Sequence, residues 1–176
     1  MLTSFEGDVK VNDLSISQKT ELNSGYKISV SNDSDSFAVL TYTDGNRVLI
    51  KSGELIIEKK EENNNRLSIK EGEYYLHINN PDKRLIATVM SIKTPQSIIN
   101  IYGGDSYFNT RDNKLYFACS KGKADYEDPW GQLTIVKGNA ILLKDKNIAP
   151  KMSPISYNIS KKIKLGFDRM GIKYLE

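Results

Sequence analysis

A chain of 176 residues is long enough for one domain with a sizeable core, or for one domain plus an appended element. Its hydrophobic fraction of 39% arrives in short periodic bursts, which excludes a disordered chain. Lysine and arginine total 25 against 22 acidic residues, a net charge of +3. Spread through mixed runs such as EKKEE at 58–62, that charge is too even for a nucleic-acid-binding face and reads as solvated surface.

Along the chain the pattern is strand, turn, strand. Val9 and Val11 alternate with polar residues, as do Tyr26, Ile28 and Val30 after Gly25. Phe37, Val39 and Thr41 form one face of the next run, opposite Ala38, Leu40 and Tyr42, and Asp44-Gly45 turns the chain. Val48-Leu49-Ile50, a turn at Ser52-Gly53 and Leu55-Ile56-Ile57 follow, and the polar stretch 59–65 is expected as an exposed loop. Leu67 and Ile69 resume the alternation, Glu71-Gly72 turns, and Tyr74, Leu76 and Ile78 share a face. Residues 84–93 make the longest strand candidate. Pro95 belongs at a strand start or edge, since it cannot donate to a ladder. In TPQSIINIYGGDSYF (94–108) the two glycines run into a strand pattern and no Lys-Ser/Thr follows, so the segment reads as a sheet corner and not as a phosphate loop. Leu115, Phe117 and Cys119 lead to Gly122; Leu133, Ile135 and Val136 lead to Gly138; Ala140 to Leu143 close the series.

The fold class is therefore all-β over residues 1–150, a β-solenoid-like stack of short strands, followed at 151–176 by an amphipathic helix that packs on or caps it. The helix is expected over about 154–170, capped by Ser153 with Pro154 in its first turn. Ile155, Ile159, Ile163, Phe167 and Met170 form its apolar face, Gly166 on that stripe would allow close approach to another element, and Gly171 ends it. Its lysines would also fit a membrane-surface or partner-binding helix.

One cysteine, Cys119, excludes an internal disulfide, and its place in the alternation marks a buried thiol. No apolar run is long enough to cross a bilayer and no secretory signal is visible. The abrupt lead-in Met1-Leu2-Thr3-Ser4 before the first strand suggests that a signal or anchor was trimmed. The single histidine, His77, lies opposite Leu76 and Ile78 and is expected at the surface without a role. No GxSxG elbow, zinc-ligand spacing or GxGxxG turn occurs, so no enzyme activity, metal or cofactor is expected. Asp105, Asp112, Asp125, Glu127 and Asp128 could supply a glycosidase pair, but no spacing selects two of them. In Tyr126-Glu127-Asp128-Pro129-Trp130-Gly131 a large aromatic either plugs the end of the stack or makes an interface, and a lone tryptophan more commonly anchors a core. Tyr102, Asp105, Tyr126 and Trp130 are the candidate partner-binding residues, with an envelope protein as the expected partner and a glycan or peptidoglycan as the alternative.

GDVKV at 7–11, LNSGYKI at 22–28, DGNRVLI at 44–50, SGELII at 52–57 and the Thr-Pro segment at 94–108 resemble, in order, the motif series of the FecR domain family. The match spans about residues 5–146. Tyr102 stands where that family usually has arginine and Gly104 where it has threonine, so no role of that arginine is carried over. The resemblance implies a periplasmic or otherwise extracytoplasmic module that binds a protein partner. In well-known members it belongs to a membrane-spanning sigma-factor regulator that senses a TonB-dependent receptor. The N-terminal cytoplasmic helical segment and transmembrane helix of those regulators are not seen in this sequence, so the chain looks like an envelope relative or a trimmed regulator fragment.

Overall fold

The computed structural model describes residues 1–58, 65–79, 90–145 and 147–172. Its strands are β1 (Leu2–Glu6), β2 (Val9–Val11), β3 (Leu14–Ser15), β4 (Lys27–Val30), β5 (Phe37–Thr41), β6 (Arg47–Ile57) and β7 (Asn65–Ile78). They continue as β8 (Met90–Lys93), β9 (Ile98–Arg111), β10 (Lys114–Cys119), β11 (Lys123–Asp128), β12 (Gly131–Val136), β13 (Asn139–Leu143) and β14 (Lys151–Pro154). The chain ends in helix α1 (Tyr157–Arg169). Only 90–93 of the expected strand 84–93, and only Asn65 of the expected loop 59–65, fall within the described residues.

Three long strands organise the sheet because each changes partners part-way along. In β6, Arg47 to Ile50 pair with β5, whereas Gly53 to Ile56 pair with β4. In β9, Ile98 to Ile101 lie between β8 and β11, whereas Ser106 to Thr110 lie between β7 and β10. In β7, Asn65 to Ser68 pair with β8 and Gly72 to Ile78 with β9. The sheet thus folds over into two layers, with β5, β10, β13 and β14 in layer one and β2, β4, β8, β11 and β12 in layer two.

The bends fall on glycines. Gly53 and Gly72 are register partners, and a Cβ on Gly72 would lie 2.8 Å from Gly53 Cα. Only a residue without a side chain allows two backbones to cross so closely. The corner expected at Gly103-Gly104 is present. Ser52-Gly53 and Glu71-Gly72, expected as chain reversals, are instead bends inside continuous strands.

Alternation sorts the side chains between two cores. Val48, Ile50, Tyr74, Leu76, Phe108, Leu115, Phe117 and Cys119 point inward from layer one and meet Ile28, Leu55, Leu67, Ile92, Ile99 and Ile101 of layer two. The opposite face of layer one carries Val39, Leu49, Tyr75, Tyr107, Ala118 and Ala140, which α1 covers with Ile163, Phe167 and Met170. Gly166 makes this possible: a Cβ there would lie 2.3 Å from the Tyr75 ring. Lys162 donates to Glu73 Oε2 at 2.7 Å beside the same contact.

The molecule is all-β with a C-terminal helix, as the sequence indicates, but among the described residues every strand pairing except β7–β8 is antiparallel and the sheet is open. Successive turns of a solenoid would stack in parallel; here β5–β6, β6–β7, β9–β10 and β11–β12, among others, return antiparallel beside the strand before them. The helix begins about three residues later than expected. Ser153 and Pro154 are drawn into β14 by pairing with Ala140 and Asn139, and Ser156 takes the N-cap position. The C-terminal stop is as expected: Gly171 has φ +69°, its N–H donates to Asp168 O at 3.0 Å, and Ile172 N–H donates to Phe167 O at 3.1 Å.

Candidate functional site

The four candidate residues separate into three environments. Asp105 follows the Gly103-Gly104 corner and is buried, so it offers no contact surface. Its Oδ1 lies 2.7 Å from His77 Nδ1 and its Oδ2 lies 3.3 Å from Lys121 Nζ. Its backbone oxygen accepts from Ser120 Oγ and from the Ser120 and Lys121 N–H groups. The arrangement ties a corner together. His77, expected without a role, is half-buried as the Asp105 partner because β7 and β9 place the two residues directly opposite. Cys119 is buried, as expected; burial, with the Asp105 charge adding to it, pushes its thiol up to about 12, far from a nucleophile's range.

Tyr126 is also corrected. It is fully buried between the layers and unavailable to a partner. Its hydroxyl reaches Asp128 Oδ2 at 2.8 Å, and Asp128 Oδ1 accepts from Trp130 N–H at 2.8 Å and Gly131 N–H at 3.1 Å. Asp128 is therefore the fastener of the β11–β12 turn, and the turn projects Trp130. That side chain is 61% exposed and does not plug the stack. It borders a cleft of about 340 Å³ shared with Pro95, Gln96, Leu143 and Asn147.

Tyr102 belongs to a row on the outer face of layer two that sequence reading did not assemble. Its hydroxyl donates to Asp125 Oδ2 at 2.7 Å, and Thr134 Oγ1 donates to Asp125 Oδ1 at 2.7 Å. Lys123 Nζ sits 4.9 Å from the centre of the Tyr102 ring. Burial opposes ionisation of Asp125, but the bonds from Tyr102 and Thr134 and the Lys123 charge outweigh it, holding the carboxyl below the ordinary 3.8. A depressed folded-state value contributes stability above the ordinary value, and that contribution is lost as pH falls through the folded one. Thermal melts should accordingly show an acid-induced loss of stability below about pH 4 that is smaller in Asp125→Asn. A variant with the same pH slope as the parent would remove Asp125 from this role.

The row leads outward to β12, which among the described residues pairs only with β11. Tyr126↔Leu133 and Ala124↔Ile135 turn Leu133 and Ile135 toward the core, leaving Gln132, Thr134 and Val136 on the outer face. Lys137 N–H donates to Gly122 O, which sets the phase of the ladder: the backbone groups of Gln132, Thr134 and Val136 point away from β11. Alternation in KADYED could have shown that Tyr126 is inward. The free edge could not be seen until pairing was known.

No family model matches the chain, and no curated protein matches it. Solved structures do match, among them two of a "putative anti-sigma factor" from Parabacteroides distasonis: at TM-scores of 0.63 and 0.62 with 14% identity each, they cover 77% of this chain. The fold is shared with that protein. The chain spans 62% of the length of those solved chains.

Proposed function

We propose that this chain is a non-enzymatic, protein-binding regulatory module of the bacterial envelope, of the kind in which an anti-sigma factor senses an outer-membrane receptor. The observation that carries the reading is the likeness of fold to the Parabacteroides protein, reached independently of the FecR-like motif series. The surface supports it as well. Asp105, Asp125 and Asp128 are each held in bonds that fix corners, turns or strand pairs, while the β11–β12 hairpin presents an exposed indole on a rigid turn. Aromatic anchors of that sort dominate the energetics of protein interfaces. Extracytoplasmic placement is part of the proposal and rests on the motif resemblance.

Calorimetric titration with the signalling domain of the TonB-dependent receptor encoded nearest the gene tests it. A one-to-one complex is expected, weakened about thirtyfold by Trp130→Ala, as for a loss of about 2 kcal/mol at a hot spot. Absence of heat and of co-elution would count against a receptor partner. A second reading, glycan binding, draws on the same exposed indole beside the amide side chains of Gln96 and Asn147. Trp130 is the sole tryptophan, so its fluorescence reports the cleft directly, and a flat titration with muropeptides removes this reading.

A further inference from the structure

We infer that β12 is a self-pairing edge, through which two copies of this chain join antiparallel about a two-fold axis at Thr134. The first ground is backbone chemistry. The N–H and C=O groups of Gln132 and Thr134 point out of the sheet, and among the described residues no hydrogen bond reaches them. Val136 C=O has one long contact, from Asn139 Nδ2 at 3.4 Å, and a second lone pair remains. A row of such groups is completed by another extended backbone, the property that makes edges templates for pairing.

The second ground is that the remaining edges are blunted and this one is not. β14 carries Lys151 and Pro154, β3 is two residues long, and β1 contains Glu6 and is bridged at Leu2 by Thr20. β12 reads GQLTIV, with neither charge nor proline. Natural edges use lysine, proline and short length to prevent pairing, and β12 lacks all three.

The third ground selects the occupant. With the axis at Thr134, Thr134 faces Thr134 of the second copy, a favourable cross-strand pair, and Gln132 faces Val136 of the second copy. No charge opposes a like charge within the strand. Val136, 50% exposed on the outer face, is covered in both copies by the single two-fold.

The inference does not depend on the receptor reading, and its test uses the chain alone. Sedimentation equilibrium over a concentration series reaching near-millimolar chain should show monomer passing to dimer, the weak association expected of one short edge. Gln132→Pro deletes an outward N–H, and Val136→Lys adds the edge lysine that natural strands use against pairing. Each should weaken the dimer about tenfold or more with an unchanged circular dichroism spectrum. Val136→Lys carries the test where the proline variant does not fold. A monomer at every concentration would overturn the inference, as would a dimer equally tight in a folded variant.

Discussion

Gly122→Val should unfold this protein. Gly122 has φ +83°, and a Cβ there would lie 1.8 Å from Gly103 O and 2.7 Å from Gly103 C. Both obstacles are backbone, at a corner held reciprocally: a Cβ on Gly104 would lie 2.2 Å from Lys121 O. No side chain can swing aside, so β9 and the β10–β11 connection must separate, and with them the crossing that joins the layers. Left-handed strain alone costs about 1–2 kcal/mol, and the collision takes the total beyond about 4 kcal/mol. A domain stable by about 5–15 kcal/mol loses most of its margin. In guanidinium titrations the midpoint should collapse or the folded baseline should vanish. Gly138→Ala is the control, because Gly138 has a similar φ of +83° with nothing within 4 Å of its would-be Cβ, so only the strain remains. Equal midpoints for the two variants would show that the Gly103–Gly122 crossing is not what closes the fold.

Ending the chain after Pro154 should produce a protein that self-associates. The truncation removes Ile163, Phe167 and Met170, and exposes Val39, Leu49, Tyr75, Tyr107, Ala118 and Ala140 on one face of layer one. Burying each large apolar side chain is worth about 1.5–3 kcal/mol, so the three helix residues account for about 5 kcal/mol or more. The inner core retains its residues, and the loss should lower the melting temperature without abolishing β-structure. The uncovered face is a contiguous apolar patch of a kind that soluble monomers rarely display. Light scattering should report oligomers or precipitation where the full chain gives none at equal dilution. A truncated chain that stays a dilute monomer with an unchanged melt would mean that α1 contributes little cover.

The sequence was legible where one strand or one helix carries its own evidence. Alternation at Leu115, Phe117 and Cys119, and at Tyr74, Leu76 and Ile78, marked the inner face of layer one. The helical stripe from Ile159 to Met170 and the small residue at Gly166 marked a packed helix, and Tyr75 is what it packs against. Features set by long-range pairing were not legible. Gly53 and Gly72 carry positive φ whether they reverse a chain or bend a strand, and the difference lies in partners far along the sequence. Ser153-Pro154 has the composition of a helix cap, but β13 recruits it into a strand first. For the site, Tyr126 could have been placed inside by its alternation with Asp125 and Glu127. The exposure of Trp130 could not be read, because the Asp128 bonds that direct the turn outward are a matter of geometry. The pairing of Asp105 with His77 spans 28 residues, with no local signal.

Pairing of a second copy along β12 requires layer two to be open at that strand. Residue-resolved hydrogen exchange in dilute protein measures that directly. The amides of Gln132 and Thr134 should exchange at close to solvent-exposed rates, while those of Leu133 and Ile135, directed at β11, should be slower by orders of magnitude. Equal, strong protection along all of β12 would mean that another part of the chain already covers the edge, and no partner could add there.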